Sequence, residues 1–483
     1  MKKIVLFFAV AMMVSCSNDL EDLNKNIKDP SEVTPESLFT GAQKNFVDQM
    51  VTLHVNWNNT KLWTQYLQQT TYTNESNYDQ ASRTIPDNHW DIIFLSVIKD
   101  LDEAAKVIKK LENVSAAELE VKENKLGIIE ILTVMAYTNL VETFGNIPYA
   151  EALNTDKLSP KYDDGLTIYK DLISRLSKVI AALDETKGSF GSADRIYYGD
   201  VSKWKKFANT LKLRMGILLA DVDSGLARTT VMEAVNDGVF TSNGDNALYA
   251  YLSADPNTNP IYNDLVLSGR LDYVAGETIV DILNDLNDPR LPLFFTPTAD
   301  GTYVGAKIGE LTSYDKISHL TKVFETPTFS GTLLDYSETE FLLAEAVARG
   351  FLTGGSVKEH YENGIKASID YWGGNVADAD AYLLQSNVNY DLALAASTAS
   401  VPWKEVIGKQ KYIALFNRGF EAWTSIRLLD YPAMKTPSEA VSGFPNRYTY
   451  PIAEQTLNRT NYESASKAIG GDAAETRLFW DLH

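Results

Sequence analysis

Along this chain the hydrophobic positions recur mostly at helical intervals. Between residues 202 and 221, Trp204, Phe207, Leu211, Met215 and Leu218 share one face, while Lys203, Lys205, Lys206 and Lys212 fall largely elsewhere. With Asp200 ahead of it as an N-cap, the segment predicts an amphipathic helix. Two more helices are expected in residues 337–372. Ser337 with Glu340, and Ser356 with Glu359, read as capping boxes, and Gly350, Gly354 and Gly355 break the chain between them. The second of these helices carries Tyr361, Ile365, Ile369 and Trp372 on one face and stops at Gly373 and Gly374. A hairpin of about 36 residues is near the roughly 34-residue period of tetratricopeptide repeats, although that repeat's full consensus is absent. Further helices are expected at residues 36–54, 58–71, 88–111, 116–144, 166–186 and 403–429.

One stretch departs from helical spacing. Residues 239–334 are dense in Gly, Pro, Asn, Asp and Tyr, with turn signals at Asp255-Pro256, Asn259-Pro260, Asp288-Pro289 and Asp300-Gly301. Short strands are expected there at residues 293–296 and 302–304. The fold class that follows is mostly α: a tetratricopeptide-like superhelix of helical hairpins, with an irregular, loop-rich subdomain containing a few short strands.

The N-terminus follows a different pattern. Lys2 and Lys3 precede an apolar run over residues 4–14 that is too short to span a bilayer, and Ser15 then leads to Cys16. Met13-Val14-Ser15-Cys16 resembles a bacterial lipobox. Residues 1–15 are therefore expected to be a lipoprotein signal peptide, with Cys16 as the lipidated residue. Residues 16–35, rich in Asp, Glu, Asn and Pro, are expected to form a lipid-anchored flexible linker. Asp19, Glu21 and Asp22 look like the acidic signal that sends some bacterial lipoproteins to the outer face of the outer membrane. The remaining residues, 36–483, are expected to form one domain: a helical scaffold over 36–238 and 335–483 with a loop-rich, ligand-binding insertion at about 239–334.

Composition narrows the function. Cys16 is the only cysteine, so once it carries lipid the body must fold without disulfides. A formal net charge of −20 repels nucleic acid, and no nucleic-acid partner is expected. The five histidines have no metal-ligand spacing, and there is no nucleophile elbow, P-loop or dinucleotide fingerprint. No cofactor, metal or catalytic residue is therefore expected.

The 25 tyrosines and 8 tryptophans are more than a core easily buries. Flat aromatics flanked by amides and charged groups suit a ligand that has apolar faces and polar rims. Residues 57–78 have that mixture. Trp63 and Tyr66 fall at core spacing, leaving Trp57, Tyr72, Asn74 and Tyr78 as ligand candidates, with Tyr251, Asn259, Tyr262 and Asn263 from the loop-rich segment. Trp204 and Trp423 read as core, and Arg214, Arg427 and Arg447 as bridges between elements.

Several of these stretches together resemble the SusD/RagB-like outer-membrane lipoproteins, in the branch called SusD-like family 2. They are Leu23-Asn24-Lys25-Asn26 with Asp29-Pro30, Tyr198-Gly199-Asp200 leading into residues 204–214, Asp288-Pro289-Arg290-Leu291-Pro292, Leu343-Ala344-Glu345-Ala346, Gln410-Lys411-Tyr412, Glu421-Ala422-Trp423, Pro445-Asn446-Arg447, Tyr450-Pro451 and Phe479-Trp480-Asp481. The resemblance implies a nutrient-binding lipoprotein that sits as a lid on a TonB-dependent (SusC-like) transporter, held to the membrane by its N-terminal lipid. It implies an oligosaccharide as cargo. Peptide cargo, or a helical scaffold with no small ligand, are the alternatives the residues leave open.

Overall fold

The scaffold is a run of helices: α1 (Pro35–Val51), α2 (Ile85–Asp91), which continues through a π-helical turn (Ile92–Ile98) into α3 (Lys99–Lys110), α4 (Ala116–Phe144), α5 (Gly165–Ala182), α6 (Val201–Leu218), α7 (Ser224–Asp237), α8 (Tyr336–Ala348), α9 (Val357–Tyr371), α10 (Pro402–Ala414) and α11 (Gly419–Leu429). The computed structural model describes residues 33–111 and 115–483, so the signal peptide, Cys16 and most of the linker lie outside the described residues.

Neighbours in sequence pack together as pairs, α4 with α5, α6 with α7, α8 with α9 and α10 with α11. Pairs also touch the next, α5 on α6 and α8 on both α6 and α10, which makes the tetratricopeptide-like superhelix. The local chemistry explains the helix starts. Asp200 accepts from the amides of Ser202 and Lys203, Ser115 forms a capping box with Glu118, and Ser356 accepts from the amide of Glu359. On α6 the expected stripe is fully inside, with Trp204, Phe207, Leu211 and Met215 at 0% exposure. Trp423 is equally buried. Of the described helices, the apolar stretch of α4 is long enough to cross a membrane, and most of it is buried in the protein core.

The structure corrects several boundaries. Helix α8 is capped by Asp335, which accepts from the Glu338 amide, so Ser337 with Glu340 is not a capping box. Ser337 is instead buried within the first turn and donates to the Gly364 carbonyl of α9 at 2.7 Å. Residues 58–71 form only a helical turn, Thr60–Trp63, before Gln65 (φ 57°) turns the backbone into the strand Leu67–Gln69. Residues 403–429 are two helices, broken at Asn417 (φ 71°). The expected strand at 293–296 is a helical turn, Leu291–Phe294, started by Pro292 and held by the buried Asp288–Arg290 pair at 2.6 Å. The stretch 302–304 is a loop closed by the Asp300 carboxylate, which accepts from the Thr302 amide and the Thr298 hydroxyl.

Antiparallel strand pairs do occur in and around the loop-rich segment, one tying it to the scaffold and one closing it on itself. Leu67–Gln69 pairs with Tyr273–Ala275, and Ala247–Tyr249 with Gly331–Leu334. A buried ionic cluster joins the same layers. Arg418 donates to Asp335 (3.0 Å), Glu338 (2.7 Å) and the Leu333 carbonyl (3.0 Å), and Arg214 donates to the other oxygen of Glu338 at 2.7 Å. Burial pushes the Glu338 carboxyl up, but the two guanidiniums outweigh it and hold it down at about 2. Arg427 lies 3.7 Å from the Trp423 ring centroid and donates to the Glu142 and Asn446 carbonyls, while Arg447 pairs with Asp472. All three expected bridging arginines have structural partners.

Candidate ligand-binding site

Where α1 ends, the chain enters a loop pinned on both sides. The Leu53 amide and Thr52 hydroxyl donate to the Asp264 carboxylate at 3.2 and 3.3 Å, and the Tyr273 hydroxyl donates to the Leu53 carbonyl at 2.5 Å. Gln49 holds the Trp57 carbonyl at 2.8 Å, and the His54 ring stacks on Trp57 with centroids 4.9 Å apart. The indole is thus fixed on one side and 43% exposed on the other.

A second loop follows the strand Leu67–Gln69. Here Tyr72, Tyr78 and Thr84 take left-handed backbone, with φ of 53°, 69° and 51°, as Gln65 does at 57° just before the strand. Such residues persist only when their surroundings hold them. Gln69 provides part of that hold, donating to Glu75 at 2.7 Å and accepting from the Ser76 amide at 3.1 Å. Asn77 donates to the Thr73 and Gly309 carbonyls, and the Thr70 amide to the Asp272 carbonyl. Tyr72 projects from this frame with 66% of its surface exposed, and Asn74 is exposed beside it.

Arg83 joins the two loops. Its Nε donates to Glu75 at 2.5 Å, and its guanidinium also reaches the side-chain oxygen of Asn56, next to Trp57, at 3.4 Å. Arg270, more than half exposed, pairs with Asp272 at 2.5 Å on the adjoining strand end. Burial, followed by the charges of Arg83 and Arg270, pushes the His54 imidazole below its ordinary value, so at neutral pH it is an uncharged donor and acceptor. The arrangement can stack flat apolar faces on Trp57 and Tyr72 and bind hydroxyls through Asn74, Arg83 and Arg270. Among the described residues there is no cluster of three metal-ligating side chains.

The other sequence candidates fall elsewhere. Tyr78 is 3% exposed, its ring edge-on to Phe444 and its hydroxyl accepting from Gln65 at 3.1 Å. Tyr251 is 4% exposed and donates to Asp48 at 2.6 Å. Asn259 is fully buried, capping the turn Pro260–Tyr262 and donating to the Phe329 carbonyl. Tyr262 and Asn263 are half-buried, with Asn263 accepting from the Thr258 hydroxyl. Sequence reasoning missed His54, Arg83 and Arg270. No periodicity marks them; the only hint was their place in polar runs beside the aromatic candidates.

Comparison with known proteins follows the same lines. The sequence matches SusD-like family 2, described as starch-binding and associating with the outer membrane, over residues 27–451. No curated protein matches. Among solved structures, a chitin-binding protein superposes with a TM-score of 0.79 at 25% identity, covering 93% of this chain and 100% of its own. A chitin-binding SusD homologue from Flavobacterium johnsoniae gives 0.78 at 24%, covering 92% and 99%. A SusD homologue from Bacteroides uniformis gives 0.77 at 25%, with the same coverage of 92% and 99%. With most of its length inside the family match, and the helical-hairpin architecture in common with its solved relatives, the chain belongs to the SusD-like family.

Proposed function

We propose that this protein captures an oligosaccharide on the Trp57–Tyr72 surface and delivers it, as a lid, to a TonB-dependent outer-membrane transporter. A lipid on Cys16 holds it to the outer membrane, facing the cell exterior, and residues 16–35 serve as the tether. The body is the single domain 36–483, and its role is binding without catalysis. The observation that carries this reading is the pair of large aromatic rings, 43% and 66% exposed, held in a frame of amide and guanidinium donors. Leaving such rings in water costs burial free energy that a ligand's apolar face would recover. The descriptions of the family and of two solved relatives, starch-binding and chitin-binding, favour a glycan over a peptide.

Calorimetric titration with starch- and chitin-derived oligosaccharides tests the site. Trp57→Ala and Tyr72→Ala are each expected to weaken binding about tenfold, or ~1.4 kcal/mol, whereas Tyr251→Phe, altering a buried hydroxyl, leaves affinity unchanged. An affinity unaltered in the Trp57→Ala/Tyr72→Ala double variant would refute this surface as the site. Silence with every glycan but binding of peptides would move the cargo to peptides.

A further inference from the structure

Around the turn that ends α11, the molecule has a concave region whose lining residues are all distinct from the Trp57 surface. One cleft of about 490 Å³ is lined by Trp403, Tyr431, Arg349, Lys404, Asp221 and Asp430. A neighbouring cleft of about 480 Å³ carries Phe444, Met434 and Arg477, and the two share Asp430 and His483, so they run together as a trough. Each volume lies within the range of small-ligand pockets, about 300–1,000 Å³.

The walls hold unused hydrogen-bonding capacity. Arg349 donates to both oxygens of Asp221, at 2.7 and 3.3 Å, and its guanidinium lies over the Trp403 ring at 5.3 Å, fixing that ring at the cleft. Its Nε has no acceptor in the protein, although the side chain is only 8% exposed. Lys404 has a side chain only 10% exposed, yet its ammonium finds just the Leu428 carbonyl at 3.4 Å and Asp221 at 3.9 Å. A lysine with three donors and two long contacts has donors to spare. Asp430 is exposed in left-handed backbone (φ 64°), and among the described residues no cation or hydroxyl pairs with its carboxylate. Arg349 and Lys404 balance Asp221 and Asp430 in one cleft, and Arg427 and Arg477 balance Glu475 and Asp481 in the other, so the lining favours neither anion nor cation.

Spare donors, a spare acceptor, two aromatic rings and no net charge describe the recognition of a neutral polyol. We propose that this trough is a second subsite for a neutral oligosaccharide. Sugar rings lie along Trp403 and Tyr431, a ring or hydroxyl oxygen accepts from Lys404, and a hydroxyl donates to Asp430. An acidic sugar would be repelled by Asp430, and a cationic one by Lys404. The inference rests on a glycan as cargo but not on Trp57 as its first contact.

Fluorine NMR of the full chain labelled with 5-fluorotryptophan, titrated with maltohexaose and chitohexaose, reads both sites at once. Trp403→Phe and Trp57→Phe assign the two resonances. The Trp403 signal is expected to shift with at least one of the sugars, and still to shift in the Trp57→Ala protein. Asp430→Asn, which keeps a side chain tolerant of left-handed backbone, is expected to raise the Trp403 midpoint about tenfold. If Trp57 responds and Trp403 does not, the second subsite is wrong and the capture reading stands. If Trp403 alone responds, the second subsite stands and the Trp57 surface falls. If neither responds, both fall, and an unchanged midpoint in Asp430→Asn overturns the recognition described.

Discussion

Glu142, on α4, accepts a hydrogen bond from the Tyr169 hydroxyl at 2.9 Å in a buried setting. Burial outweighs the pull of Arg214 and pushes its carboxyl up to about 7. The folded protein therefore keeps a proton that the unfolded chain gives up at ordinary carboxylate values. Stability from this group is present at low pH and declines as pH rises through roughly 4.5 to 7. Glu142→Gln should flatten that decline, raising stability at pH 8 relative to pH 5 on the order of 2 kcal/mol, as measured by urea unfolding at the two pH values. Glu338 has the opposite sign: its folded value is depressed to about 2, so its contribution is lost only as pH falls from about 4.5 toward 2. Sequence pattern separated the core aromatics Trp63, Tyr66, Trp204 and Trp423 from the exposed Trp57 and Tyr72 because periodicity reports burial. It could not separate Tyr72 from Tyr78 and Tyr251. The buried hydroxyls of those two meet Gln65 and Asp48 through contacts that only the folded chain makes.

In the α8–α9 hairpin, the element that the sequence marks most clearly, the helices meet across glycine. A Cβ added at Gly364 would stand 2.8 Å from the Phe341 ring, and the Ser337 hydroxyl donates to the Gly364 carbonyl at 2.7 Å across the same contact. Gly364→Val is expected to cost about 1–3 kcal/mol by forcing the helices apart, seen as a lowered melting temperature. Gly354→Ala, in open space and without positive φ, is expected to leave it nearly unchanged. Helix existence was readable here, while the start of α8 was not. Ser337 and Asp335 are both cap-type residues, and the Asp335 carboxylate won the cap while also serving Arg418. The break at residues 415–418 had the same cause. Arg418 turns inward to the buried acids and so interrupts a continuous apolar pattern.

Across the whole molecule, Arg418 links α8, the start of α11 and the strand Gly331–Leu334. Arg418→Met would leave Asp335 without its guanidinium partner and Glu338 with only Arg214. The expected loss is about 3–5 kcal/mol, measured as the midpoint of urea unfolding, with glycan affinity of the remaining folded protein preserved. The overall architecture was legible because helical spacing and caps repeat. The loop-rich segment was not, since its order comes from strand pairs between residues far apart in the chain, Leu67 with Ala275 and Ala247 with Leu334. The left-handed residues between Gln65 and Thr84 carry a last consequence. With the loop bearing Tyr72 already ordered by folding, an arriving ligand surrenders little chain freedom on the protein's side. Affinity differences among glycans should then reflect the fit of ring faces and hydroxyls to a fixed template, and a sugar of the wrong contour cannot recruit the loop to remodel around it.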